Sequence, residues 1–228
     1  MSLRFGILCF PNVQQLDLTG PYEVFACARD THVDLVWKST APVRSSTGLW
    51  LTPDRSFSDA PAFDVICVPG GGGVNALLRD EETLDFIRAQ ARSARFVTSV
   101  CTGTLVLGQA GLLAGKRAAT HWNAMDFLAG FGATAVGERV VQDGNLITAG
   151  GVTSGIDFGL SVIAELIGRD EAETIQLALE YAPSPAFDAG SPERVRPEIL
   201  NAARQRMAGS RAEREAVLSL RFQSSQNK

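Results

Sequence analysis

The sequence of 228 residues has no hydrophobic run that approaches the ~18 apolar residues needed to cross a membrane. Its N-terminus lacks the basic start, the longer apolar stretch and the small-residue cleavage site of a secretory signal. We therefore expect a cytoplasmic protein with no membrane partner. The formal net charge of -4 gives no electrostatic reason to expect nucleic acid as a partner either.

Cysteine and histidine are scarce, with four and two residues in the whole chain. The sequence contains no C-x-x-C motif and no pair of histidines at ligand spacing, so we predict neither a disulfide framework nor a metal site. Cys9, Cys27 and Cys67 each lie inside a predicted element, where a cysteine behaves as a small buried apolar residue. Cys101 differs because it lies where a predicted strand ends and a helix begins.

Hydrophobic residues make up 45% of the chain and charged residues 20%, which is typical of a folded globular protein. Apolar runs of strand length alternate with longer helical patterns, and this alternation predicts a mostly parallel sheet with helices on both faces. The predicted strands are 3–10, 33–38, 63–73 and 95–100, and the third of them ends in four glycines. The predicted helices are 20–29, 83–92, 102–113, 154–168, 170–181 and 198–216. Asp143-Gly144 predicts a hairpin between two short strands.

The chain shows no internal repeat, and no boundary within residues 1–182 resembles a linker. We therefore predict a single domain over residues 1–228, with residues 183–228 as a C-terminal helical extension. The arginines of this extension alternate with glutamates, which indicates a solvated face or a partner contact rather than a stripe for nucleic acid. These arginines are Arg196, Arg204, Arg206, Arg211 and Arg214.

The strand-to-helix turn at Cys101 has the form S-x-C-x-G, with Ser99 two residues before the cysteine and Gly103 two residues after it. Small neighbours let the backbone turn sharply and present the side chain, as in a nucleophile elbow. The helix N-terminus would favour the thiolate, and the glycine run at 70–73 could supply free backbone N–H groups at the same point. Cys101 is therefore a candidate nucleophile, and a buried cysteine that caps a helix is the alternative.

Asp17 lies between two leucines in the turn after the first strand. Either it caps the following helix, or it is a general acid and base in an apolar pocket that favours its protonated form. His121 is a weaker candidate, since a structural histidine explains it as well. Gly150 and Gly151 would let the helix from residue 154 approach the site closely, although a tight turn also accounts for both.

Four stretches, "FPNVQQLDLTGPYEVF", "DVICVPGGGG", "VTSVCTGTLVLGQAGLLAGKRAATHW" and "ITAGGVTSGIDFGLSVIAELIG", resemble the ThiJ/PfpI superfamily of the class I glutamine amidotransferase-like fold. Within it, the sequence is most similar to the isocyanide hydratases. The resemblance covers nearly the whole chain and implies a flavodoxin-like, three-layer α/β sandwich that works as a homodimer. It implies an enzyme that needs neither a metal nor an organic cofactor.

The resemblance also implies roles for individual residues. Cys101 would be the nucleophile, Asp17 the general acid and base, and Thr102 would help to stabilise the reacting species. The residues implied to bind the substrate are Gly71, Gly72, Gly150, Gly151 and Val152. The implied reaction is the hydration of an isocyanide to an N-substituted formamide through a cysteine thioimidate.

The sequence departs from the wider superfamily at two positions. Many relatives have glutamate in place of Asp17, and the protease-like branch has histidine in place of Thr102, so a peptidase is not expected. Two alternatives use the same cysteine, namely a glyoxalase or deglycase and a redox sensor or chaperone. A transcription regulator is a further alternative, but about 45 residues after Tyr181 leave too little room for paired DNA-binding helices.

Overall fold

The computed structural model describes residues 2–226, with side chains described for residues 2–219. Met1 and residues 227–228 of the predicted domain lie outside the described residues. The strands are β1 Leu3–Leu8, β2 Thr31–Trp37, β3 Val43–Arg44, β4 Trp50–Leu51, β5 Arg55–Ser56, β6 Val65–Val68, β7 Phe96–Val100, β8 Arg117–Ala118, β9 Thr134–Ala135, β10 Val140–Asp143 and β11 Leu146–Ala149. The helices are α1 Gln15–Cys27, α2 Val74–Leu77, α3 Glu81–Ala91, α4 Gly103–Gln109, α5 Ser154–Leu166, α6 Arg169–Ala178 and α7 Pro197–Gln226, with a 3-10 helix at Trp122–Phe131.

Seven strands form the central sheet in the order β10-β11-β7-β6-β1-β2-β5. All neighbours in this sheet are parallel except β10 and β11, which pair antiparallel as the Asp143-Gly144 signal predicts. The buried central strands read as continuous apolar runs because helices cover both of their faces. The prediction of a mostly parallel sheet in an α/β sandwich is confirmed.

One helical layer consists of α1, α5 and α6, and the other is built around α2, α3 and α4. Phe25 of α1 fixes the first layer to the sheet, since its ring stacks on Phe5 of β1 at 4.5 Å and meets the edge of Phe158 of α5 at 5.9 Å. The hydrophobic core extends through both layers. No helix within residues 2–226 is long and apolar enough to cross a membrane.

Helix α1 begins at Gln15, whereas the sequence predicts its start near residue 20. The prediction placed Pro21 in the first turn, where the missing N–H costs nothing. In the structure Pro21 lies further along the helix, packed near Gly155 of α5, so tertiary contacts outweigh the local preference of proline. As a consequence, Asp17 belongs to the first turn of α1 and not to the preceding loop.

One expectation about burial is wrong, and for Arg214 one of the two alternatives given for the C-terminal arginines is excluded. Cys27 is the last residue of α1 and is exposed, while Cys9 and Cys67 are buried as predicted. Helix α7 extends well beyond the predicted 198–216 and packs on α2 and the 3-10 helix. Because of that packing Arg214 is 5% exposed, so it does not belong to a solvated face.

Candidate active site

Cys101 lies at the end of β7 and immediately before α4, in a left-handed backbone conformation with φ at 58°. Such a conformation is uncommon outside glycine and marks a strained turn. Three hydrogen bonds hold the turn in place: the Cys101 N–H donates to the Ala149 carbonyl at 3.0 Å, and the hydroxyls of Thr120 and Thr104 donate to the Cys101 carbonyl at 2.7 and 3.2 Å. The elbow predicted from S-x-C-x-G is therefore present.

Gly103 permits the elbow because the backbone of β6 passes directly against it. A Cβ atom at this position would lie 1.9 Å from the Val68 carbonyl oxygen and 2.7 Å from the Pro69 carbonyl oxygen. Real Cβ atoms do not approach backbone this closely, and neither carbonyl belongs to a flexible side chain. The glycine two residues after the cysteine is therefore required by packing.

Asp17 is completely buried beneath Cys101, at the start of α1. Its Oδ2 atom accepts a hydrogen bond from the Gly70 N–H at 2.9 Å. Its Oδ1 atom is buried and has no partner of good hydrogen-bond geometry among the described residues, although the Cys101 thiol is close enough for each side chain to affect the pKa of the other. The structure thus brings the predicted nucleophile and the predicted acid together.

Burial raises the pKa of the Asp17 carboxyl from 3.8 to about 7, against the smaller lowering effects of the bonds to Gly70 and Cys101. Desolvation penalises the charged form, and the single backbone N–H does not compensate for it. Asp17 is therefore able to gain or lose a proton near neutral pH, as a general acid and base must.

Burial and the negative charge of Asp17 raise the pKa of the Cys101 thiol well above its usual value. The Thr102 N–H and the positive charge of Arg214 act in the opposite direction but are smaller influences. The helix N-terminus acts in the expected direction through the Thr102 N–H, but burial and Asp17 outweigh it. The raised pKa favours the protonated thiol, and the Asp17 carboxylate beside it is a base that can take this proton.

The glycines after β6 act differently from the expected set of free donors. The Gly70 N–H is bonded to Asp17, and the Gly71 N–H donates to Thr102 Oγ1 at 3.2 Å. Gly71 has a φ of 127°, and a Cβ there would meet the Gln14 backbone nitrogen at 2.3 Å. These glycines let the two loops approach each other and hold Asp17 and Thr102, so the N–H groups of Gly70 and Gly71 are not free for a substrate.

A cavity of about 210 Å³ opens beside Cys101. Of the predicted site residues, Cys101, Thr102, Gly71 and Val152 line it. Asp17 lies buried behind the cysteine, while Gly72, Gly150 and Gly151 are not among the described lining residues. The cavity is below the usual range of about 300 to 1,000 Å³ for pockets that bind drug-sized ligands, which indicates a small substrate.

The sequence reasoning missed the contribution of α7 to this cavity. The lining residues that were not predicted are Gln14, Asn123, Met207, Ser210 and Arg214. The last three lie on one face of α7 at spacings of three and four residues, and this spacing is the signal that could have identified them. The alternation of arginine and glutamate along α7 indicated a solvated helix instead, so this spacing was not recognised as a cavity-facing side.

His121 also lines the cavity. Its Nδ1 accepts the Asn123 N–H at 3.2 Å at the start of the 3-10 helix, which leaves Nε2 to carry the ring proton. Burial and the positive charge of Arg214 lower the pKa of His121, so the ring is neutral. His121 therefore shapes the cavity wall and caps a helix, as the structural interpretation of this residue predicts.

A family model described as the DJ-1/PfpI family matches residues 4–165. The chain belongs to the DJ-1/PfpI family. The matched segment contains both Asp17 and Cys101, together with the central sheet except for Leu3 at the start of β1. Helix α7, which closes one side of the cavity, follows the matched segment.

Among members of this family, a Pseudomonas putida protein named isonitrile hydratase is 60% identical over 210 residues, which is 92% of each chain. A crystal structure of a ThiJ/PfpI family protein from Pseudomonas syringae has a TM-score of 0.92 and 40% identity, and the alignment covers 96% of this chain and 91% of that one. The structure of Drosophila melanogaster DJ-1beta has a TM-score of 0.72 and 26% identity, with 79% of this chain and 98% of that chain covered. The similarity to the two Pseudomonas proteins extends beyond the segment that the family model matches.

Proposed function

We propose that this protein is an isocyanide hydratase, a hydro-lyase that converts R-NC and water into the formamide R-NH-CHO. The observation that carries the proposal is the buried pair of Cys101 and Asp17 beside a small cavity, in a chain 60% identical to an isonitrile hydratase. Isonitrile and isocyanide are two names for the same functional group. One nucleophile and one acid near its pKa are sufficient for this reaction.

In the first step the Asp17 carboxylate takes the proton of the Cys101 thiol as the sulfur approaches the terminal carbon of the isocyanide. A carbon–sulfur bond forms at that carbon, and Asp17 then delivers the proton to the same atom. The product is the thioimidate R-N=CH-S-Cys101. The raised pKa of Asp17 supports this sequence, because the carboxyl can both accept and release a proton near neutral pH.

In the second step Asp17 takes a proton from a water molecule that attacks the thioimidate carbon. The nitrogen receives this proton, and the carbon–sulfur bond breaks to release R-NH-CHO. The sulfur leaves with the second proton of the water, which restores the thiol. Thr102 assists through its backbone N–H, which bonds to the sulfur and favours negative charge there.

We propose further that the enzyme acts as a cytoplasmic homodimer on a small-molecule substrate. Gly71 and Val152 line the cavity and would contact the substrate directly. Gly72, Gly150 and Gly151 have no such support in the cavity lining, and their binding role rests on the family resemblance alone.

The proposal is tested by incubating the protein with an aryl isocyanide and following the formamide by chromatography. Wild type is expected to convert the isocyanide, and Cys101→Ala is expected to lose at least about a thousandfold in rate, because the reaction then lacks its nucleophile. Cys27→Ala is the control, since Cys27 is exposed at the end of α1 and does not line the cavity. Turnover of glyoxal with none of isocyanides would instead favour the glyoxalase alternative.

A further inference from the structure

Arg214 is a charged side chain buried beside the candidate nucleophile, and it has no ion-pair partner among the described residues. The residue is 5% exposed and lines the cavity next to Cys101. Its Nε atom has no hydrogen-bond partner among the described residues, and its Nη2 makes one long contact of 3.4 Å to Ser210 Oγ. A buried guanidinium in this condition is costly, so its retention calls for a function.

The charge of the adjacent Glu213 acts on Arg214, but no described carboxylate forms an ion pair with it. Asp126 is not available to it, because both carboxylate oxygens of Asp126 accept hydrogen bonds from Arg211, at 3.1 and 2.6 Å. The adjacent Glu213 accepts a hydrogen bond from the Asn75 amide at 2.9 Å. The described residues that line the cavity include no aspartate or glutamate. The described cavity lining therefore offers Arg214 no carboxylate as an ion-pair partner.

The side chains around Arg214 hold it in that position. The Asn75 amide of α2 donates to the Ser210 carbonyl at 3.0 Å as well as to Glu213, which ties this turn of α7 to the loop side of the sheet. One turn further on, Val217 and Leu218 are buried in the core. The guanidinium is therefore on a rigid element, as a specificity-determining group should be.

We propose that Arg214 binds the carboxylate of the substrate, so that the enzyme prefers isocyanides that carry an acid group over neutral isocyanides. This inference rests on the proposed hydratase function and names the substrate class of the same site. A guanidinium pairs with a carboxylate through two parallel hydrogen bonds in a fixed geometry. The small cavity would then hold the isocyanide carbon at Cys101 and the acid at α7.

The alternative partner for Arg214 is the sulfur of Cys101 as a thiolate. That pairing does not account for the resting site, because burial and Asp17 keep the thiol protonated despite the positive charge of Arg214. An acid group on the substrate would remain charged throughout the reaction. The two roles predict different results for Arg214 variants. If Arg214 pairs with the thiolate, its removal lowers the rate for every isocyanide equally, whereas if it binds the substrate carboxylate, its removal lowers the rate only for the acids.

The test compares isocyanoacetate and 4-isocyanobutanoate, two acids of different reach, with their methyl esters. For wild type we expect kcat/KM at least about tenfold higher for one of the acids than for its ester, because charged hydrogen bonds are the strong ones. Arg214→Met is expected to lower kcat/KM for that acid by roughly 10- to 100-fold, mainly through KM, and to change the ester by less than about threefold. Arg214→Lys, which keeps the charge, is expected to restore part of the preference.

Arg206→Met is the matched control, because it removes an exposed arginine from the same helix. Thermal unfolding of each variant shows whether it is folded, and Arg214→Lys provides the test if Arg214→Met is not. Hydration of the esters with no preference for either acid, or an equal loss for acid and ester, would overturn the role of Arg214 and leave the hydratase function standing. Failure of wild type to hydrate any of the four compounds while it converts an aryl isocyanide would also overturn the role of Arg214. Failure with the aryl isocyanide as well would overturn the hydratase function itself.

Discussion

Asp17 combines complete burial with a single directional hydrogen bond to its carboxylate, from the Gly70 N–H. Its pKa of about 7 follows from this arrangement, and the ionised form is held in the fold at a cost in stability. Gly70 makes the arrangement possible, since a Cβ there would lie 2.8 Å from Asp17 Oδ2 and 2.7 Å from the Thr102 nitrogen. The residue is thus placed for proton transfer and not for stability.

Asp17→Asn is expected to change how stability depends on pH. In wild type the folded protein binds more protons than the unfolded chain between pH 3.8 and about 7, so the free energy of unfolding falls as pH rises through that window. Asparagine cannot ionise, and the stability of the variant relative to wild type should therefore rise by about 1 to 4 kcal/mol between pH 4 and pH 8. Urea unfolding at several pH values measures this change.

Asp59→Asn is the control for that experiment, because Asp59 is an exposed aspartate. A constant difference between Asp17→Asn and wild type from pH 4 to pH 8 would contradict the raised pKa of Asp17.

The role of a single residue could be predicted from the sequence where its motif has a steric explanation. Cys101 could be distinguished from Cys9 and Cys67 by its position at the end of a strand with Gly103 behind it. The pairing with Asp17 depended on resemblance, because two side chains 84 positions apart in the sequence meet only through the sheet order. Arg214 was not identified, since its burial depends on where α7 docks.

At the scale of elements, the turn between β7 and α4 determines where the nucleophile points. Its geometry combines the left-handed conformation of Cys101 with the absence of a side chain at Gly103. Hydrogen bonds to Ala149, Thr104 and Thr120 hold the first condition, and the close approach of the end of β6 requires the second. The turn is therefore held by tertiary packing as well as by its own sequence.

Gly103→Ala is expected to destabilise the protein by about 2 to 4 kcal/mol, because the added Cβ overlaps the Val68 carbonyl and forces the turn away from β6. Gly209→Ala in α7 is the matched control. It has open space around its Cα, so the same substitution should raise stability by up to about 1 kcal/mol. Urea unfolding of both variants checks these values, and a Gly103→Ala protein as stable as wild type would show that packing does not require this glycine.

Element types could be predicted from sequence more reliably than element boundaries. The apolar runs at β1, β2, β6 and β7 and the Asp143-Gly144 hairpin were predicted because their patterns are local. The start of α1 was placed about five residues too late, since the proline signal was stronger locally than the packing against α5 that overrides it. The two-residue strands β3, β4 and β5 have too little pattern to be recognised.

At the scale of the whole molecule, α7 connects the C-terminal part of the chain to the active site. Its contacts with α2 and the 3-10 helix close the cavity that the sheet and its loops leave open. The residues from 183 onward therefore contribute to the site as well as extending the domain. This role could not be predicted from composition, because a helix with many charges has the same composition whether it is solvated or docked over a cavity.

We predict that the protein is a homodimer in solution. Besides the family resemblance, Leu177 and Phe187 are each more than four-fifths exposed, and exposed large apolar side chains favour burial in an interface. Sedimentation velocity over a dilution series is expected to give a species of twice the 24.3 kDa chain mass. A single species at the mass of one chain across the series would contradict this prediction.

The central claim is that Cys101 forms a covalent bond to the isocyanide carbon. Intact mass spectrometry of wild type and Asp17→Asn, each quenched with acid after mixing with an aryl isocyanide, tests it most directly. The account predicts a mass gain of one isocyanide molecule, located on the peptide that contains Cys101 and longer-lived in Asp17→Asn. Turnover to formamide without any adduct, or an adduct confined to the exposed Cys27, would contradict it.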